Sequence, residues 1–102
     1  RYRMVIITKS SFPPSSANEI GKRFTELPAL PDYITMRGPF VRGSAGEGVQ
    51  VTAIYECDNS KLAEAVEHVS NRMVPYFGVT GFKYSVDTWL EAIEALKMIG
   101  LG

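Results

Sequence analysis

A chain of 102 residues, 45% of them hydrophobic and 22% charged, is the size of one domain with one core and can fold without a metal or disulfide staple. Its eleven basic residues balance eleven acidic ones, which argues against broad electrostatic binding to nucleic acid or to an anionic membrane. The single cysteine, Cys57, excludes an internal disulfide and fits a reducing compartment, and no apolar run approaches membrane-spanning length, so the cytoplasm is the expected location.

Residues 2–8 predict a strand. Met4 to Ile7 is apolar without alternation, which suits a strand buried on both faces and therefore central in a sheet. Regularity breaks from Ser11 to Pro14. Ser16-Ala-Asn-Glu19 matches a capping box and predicts a helix start. Ile20, Phe24 and Leu27 form the buried stripe of that helix. Gly21 weakens the helix by about 1 kcal/mol relative to alanine unless close packing needs it. Pro28 and Pro31 end the segment.

Residues 33–42 and 48–57 predict a β-hairpin. Ile34, Met36 and Phe40 share one face of the first arm, and Val49, Val51, Ala53, Tyr55 and Cys57 share one face of the second. Bringing the apolar faces together pairs Met36 with Tyr55 and Phe40 with Val51 and leaves Ala45-Gly46 as a two-residue turn. Gly43, Gly46 and Gly48 also allow a looser loop with a bulge. Asp58 or Ser60 caps the next helix, whose stripe is Leu62, Val66, Val69 and Met73 and whose end is Pro75. After a turn from Gly78 to Gly81, Phe82, Tyr84 and Val86 alternate with Lys83, Ser85 and Asp87 as a fourth strand. Thr88-Trp-Leu-Glu91 matches a second capping box. It predicts a third helix with Trp89, Ala92, Ile93, Leu96 and Ile99 on its stripe and Gly100 as its C-terminal cap.

The order is β-α-β-β-α-β plus a helix, an α+β fold with one four-stranded antiparallel sheet and two helices on a single face. The opposite sheet face would carry Tyr33, Thr35, Arg37, Gln50, Thr52, Ile54, Glu56, Lys83, Ser85 and Asp87. The third helix then needs a burial site at a sheet edge, over that open face or on a second subunit.

No stretch carries a specific catalytic or metal-binding signature. One histidine and one cysteine are too few for a typical structural zinc site, so no metal is expected. His68, on the flank of its helix, is a candidate acid–base group or an ordinary boundary residue. Arg37 and Glu56 fall on neighbouring strands of the open face. An arginine there could hold a carboxylate or enolate oxygen while Glu56 takes a proton, and the same pair serves equally as an ion pair on a mixed β-face. Tyr55, Phe24 and Met73 would line any pocket between sheet and helices, and Tyr55 stands out because a buried phenol needs a partner. An RNA-recognition motif shares the plan, but Val51 and Ala53 offer no base-stacking platform.

The element order, together with the run Gly46-Glu-Gly-Val-Gln-Val-Thr-Ala-Ile-Tyr-Glu-Cys-Asp58 leading into the Leu62/Val66/Val69 helix, resembles the dimeric α+β-barrel superfamily, built on the ferredoxin-like plan. The resemblance spans nearly the whole chain. It implies one ferredoxin-like domain over residues 1–102 and a homodimer with two sheets face to face. It also implies a pocket between sheet and helices that holds a small, partly apolar molecule. Members include cofactor-free monooxygenases, isomerases and decolorising peroxidases. No family motif maps onto this chain residue by residue, so no catalytic residue is carried over and no cofactor is expected. A non-catalytic assembly or regulatory module using the dimer face, and a monomeric ferredoxin-like adaptor, remain alternatives.

Overall fold

The computed structural model describes residues 4–101. The order of elements is strand β1 (Met4–Phe12), helix α1 (Ala17–Phe24), strands β2 (Thr35–Ser44) and β3 (Gly48–Glu56), helix α2 (Leu62–Asn71), strand β4 (Lys83–Leu90) and helix α3 (Ala92–Lys97). The four strands form one antiparallel sheet in the order β2-β3-β1-β4. The fold is therefore α+β, and β1 is central as its unbroken apolar run predicts, with Ile6 fully buried. Residues 2 and 3 of the predicted first strand lie outside the described residues. The strand runs on past the predicted residue 8 because β3 supplies ladder partners as far as Phe12 and β4 as far as Ser11.

The core lies on one face of the sheet, in two clusters. One joins Ile6, Ile34, Ala53 and Tyr55 to Ala65 and Val69 of α2. The other joins Phe12 to Ile20 of α1 and to Met73, Tyr76 and Val79 beyond α2. Val69 sits at the centre of its predicted stripe, and Ala65, four residues earlier, is equally buried.

The hairpin register changes partway along. Met36 faces Tyr55 as predicted, but Phe40 faces Thr52, and it is Val41 that faces Val51. The ladder shifts by one residue between Arg37 and Phe40, across the cis Gly38-Pro39 bond. Proline has no N–H for the ladder, and the extra residue makes a bulge. Because side chains alternate with period two, the bulge moves Phe40 to the open face, where it is 59% exposed, and turns Val41 towards the helix side. The turn widens to three residues, because Ser44 pairs with Gly48. Gly48 has φ +81°, and a Cβ there would stand 2.7 Å from the Phe12 carbonyl oxygen, so glycine is required at this position.

The first predicted capping box marks the start of α1, with Ser16 as N-cap residue, but its bonds do not form, and the second marks no helix start at all. Ser16 precedes α1, but its hydroxyl donates across the fold to the Thr80 carbonyl at 2.7 Å and makes no cap hydrogen bond. Glu19 pairs with Arg23 instead. Thr88-Trp-Leu is strand, not helix: β1 pairs with β4 through Leu90, and Trp89 faces Val5. Asp58 caps the 3-10 turn Asn59–Lys61 that leads into α2, accepting from the Ser60 N–H at 3.0 Å, whereas α2 itself has Lys61 at its N-cap and no side-chain cap bond. Gly100 ends α3 as predicted, with φ +80° and a Leu101 N–H to Leu96 carbonyl bond at 2.9 Å.

Helix α3 is inside out. Its buried residue is Glu94, ion-paired to Lys97 at 3.3 Å, while Ile93 and Ile99 of the predicted stripe are 59% and 70% exposed. Leu96, Met98 and Leu101 are exposed as well.

Candidate functional site

A cavity of about 240 Å³ lies between the sheet, the length of α1 and the segment that follows α2, lined by members of both core clusters. Its floor is low because the central strands carry small side chains there: Thr8 and Ser10 on β1 and Ala53 on β3. Helix α1 is only eight residues long and roofs the space with Ile20 and Phe24, spaced i, i+4 on one face. Met73 and Tyr76 close the far wall, and Pro39 and Val41, re-aimed by the bulge, form the rim.

Tyr55, Phe24 and Met73, the predicted ligand-binding residues, all line this one cavity. Tyr55 is 4% exposed and Met73 8%, whereas Phe24 is 43% exposed at the mouth. The Tyr55 hydroxyl has no hydrogen-bond partner among the described residues, and neither do those of Tyr76 and Thr8. Burial pushes the Tyr76 phenol above its ordinary value; nearby Arg72 works against this and Tyr55 adds to it. Arg72, at the C-terminal end of α2, also lines the cavity. One of its guanidinium nitrogens donates to the Pro28 carbonyl at 2.6 Å, which ties the side chain to the loop after α1. The neighbouring Arg23 is neutralised by Glu19, whereas no carboxylate among the described residues lies within ion-pair distance of Arg72.

Sequence reasoning missed Arg72, Tyr76, Thr8 and Ser10. The last two were within reach, since Ile6, Thr8, Ser10 and Phe12 share one strand face, and hydroxyls on an otherwise apolar face ask for partners. Arg72 gave no signal, because whether an arginine at a helix end faces a cavity depends on the elements around it.

The candidate catalytic residues are not gathered with this site. Arg37 and Glu56 do meet, at 3.7 Å, but on the open sheet face. His68 is exposed on α2, with its ring 6.3 Å from that of Tyr33. Tyr33 does not join the open face as expected. It precedes β2 and packs against the α2 cluster. Its hydroxyl is buried without a partner among the described residues, and its pKa is raised by burial first and then by Glu64, Cys57 and Glu67. Cys57 packs against the same cluster, and burial, helped by Asp58, holds its thiol above the ordinary value, the opposite of an activated nucleophile. Among the described residues no group of three or more His, Cys, Asp or Glu side chains could hold a metal ion. A larger space of about 1200 Å³ outside α1, bordered by Glu19, Lys22, Thr25 and Pro75, is an open trough. No described helix is long and apolar enough to cross a membrane.

No protein-family model matches the chain, and no curated protein matches it. Among solved structures, a tripeptidase from Staphylococcus aureus subsp. aureus Mu50 is similar at 16% identity with a TM-score of 0.50, over 99% of this chain and 36% of that one. The chain thus spans about a third of the tripeptidase's length, and at this identity the likeness concerns fold alone. A de novo designed protein, Foldit4, matches at 14% identity and a TM-score of 0.48, over 89% of this chain and 99% of that one.

Proposed function

We propose that the chain is a ferredoxin-like, dimeric α+β-barrel protein that binds a small, partly apolar molecule between its sheet and its helices. The observation that carries this reading is the cavity: mainly apolar walls, with a few hydroxyls and one arginine that have no full set of partners among the described residues. Ligand sites are typically built this way, apolar for affinity with a few polar groups for orientation. At about 240 Å³ it has room for a molecule displacing roughly eight waters.

The partner in this reading is a second copy. Helix α3 turns its acidic residue inward and its apolar side outward, which suits a surface that is covered in the assembly. The open sheet face adds exposed Phe40 and Trp89 among charges of both signs: Arg37, Glu56, Lys83 and Asp87. Such a mixture allows one patch to meet its own copy across a two-fold axis. The same exposed apolar side also favours the second reading, an assembly or regulatory module whose function lies wholly in the dimer face.

Native mass spectrometry of freshly purified protein tests both. A dimer with a bound small molecule is the expected result. A bare dimer favours the assembly module, and a bare monomer refutes the barrel.

A further inference from the structure

We propose that the cavity takes an amphipathic monocarboxylate, an aliphatic or aryl chain ending in one carboxylate that the Arg72 guanidinium receives. The inference rests on the cavity-binding reading and adds the chemical class of the ligand. The apolar requirement comes from Ile20, Phe24, Met73 and Val51, which surround the space. The anionic requirement comes from Arg72. A guanidinium offers five N–H donors, and one is bound here, to the neutral Pro28 carbonyl. Among the described residues the charge is left without a carboxylate, in a wall whose other polar side chains are uncharged hydroxyls.

A second observation points the same way. Tyr55 and Thr8 are each 4% exposed, line this cavity and have no hydrogen-bond partner among the described residues. Their oxygens are not sealed in the core but line the cavity, so each is free to bond a ligand's acceptor there. A phenol O–H and a guanidinium both donate, and a carboxylate supplies two acceptor oxygens with several lone pairs. The single positive charge matches one carboxylate better than a phosphate, which carries up to two negative charges and three strongly accepting oxygens. The Pro28 bond holds the guanidinium before a ligand arrives, so less ordering is required on binding.

Calorimetric titration of the full chain with octanoate and with 1-octanol tests this, since the two share an apolar chain and differ in the head group. Octanoate is expected to bind roughly tenfold tighter or more, the range of a charge-assisted hydrogen-bonded pair. In Arg72→Gln the preference should collapse to near unity. Tyr55→Phe should weaken octanoate binding severalfold and leave 1-octanol binding nearly unchanged. Equal binding of the two probes by the unmodified protein overturns the monocarboxylate assignment while the cavity reading stands. Binding of neither overturns both. A preference that persists in Arg72→Gln overturns the role of Arg72. Should that variant fail to fold, the Arg72 Nε–H resonance of the unmodified protein replaces it. Movement with octanoate and not with 1-octanol supports the proposal, and an unmoved resonance overturns it.

Discussion

Replacing Gly21 with alanine should stabilise the protein. Gly21 is the fifth of eight residues in α1, a helical interior position without positive φ, and nothing outside its own helix lies within 4 Å of where a Cβ would stand. The steric term is therefore absent, and the propensity term acts alone. Glycine in a helix interior is about 0.8–1.0 kcal/mol less favourable than alanine, chiefly because the unfolded glycine chain has more freedom to lose. In a short helix that frays, about 0.5–1 kcal/mol is the expected gain, or roughly 4 °C in melting temperature at this size. Urea unfolding at constant m-value measures it. Gly21 borders both the cavity and the outer trough. A midpoint that fell on Gly21→Ala would refute the reasoning, because it would mean the space beside this glycine is occupied in solution.

Gly48→Ala should have the opposite sign. Left-handed backbone disfavours alanine by about 1–2 kcal/mol, and the methyl would meet the Phe12 carbonyl at 2.7 Å, so a loss of at least about 2 kcal/mol is expected in the same assay. If the proposed dimer packs sheet to sheet over Arg37, Arg37→Ala should weaken self-association, read as a raised dimer dissociation constant in analytical ultracentrifugation. An unchanged constant removes Arg37 from the interface. Stability should be lost at alkaline pH. Cys57, Tyr33 and Tyr76 all have folded-state pKa values raised above their ordinary ones, so the unfolded chain releases these protons first. Their contribution is full below the ordinary thiol value of 9.0 and disappears as pH rises through the folded thiol and then the folded phenol values. Urea midpoints at about pH 8 and about pH 10.5 should therefore differ, and equal midpoints would count against the burial of these groups.

Local periodicity made much of the fold legible. The apolar run of Met4–Ile7, the alternation of Val49 to Tyr55 and the spacing of Leu62, Val66 and Val69 each report an element and its buried side, because period and burial are tied by geometry. The same signals placed Tyr55, Phe24 and Met73 on surfaces that converge. The two capping boxes lose their bonds in one way. Ser16 and Thr88 carry valid local cap signals, but a long-range partner outcompetes each: the Thr80 carbonyl for Ser16, and strand β1 for Thr88.

By itself the sequence determined the α+β order of elements, the central place of β1 and which face of most strands is apolar, since these follow from contacts between near neighbours in the chain. Tertiary structure alone decided the register beyond Gly38-Pro39, the length of β4, the outward turn of α3's apolar side and the meeting of Arg72 with Tyr55 and Tyr76 at one cavity. Each of these depends on which distant groups compete for the same hydrogen bonds and the same space, and that competition is settled only when the whole sheet and its helices are in place.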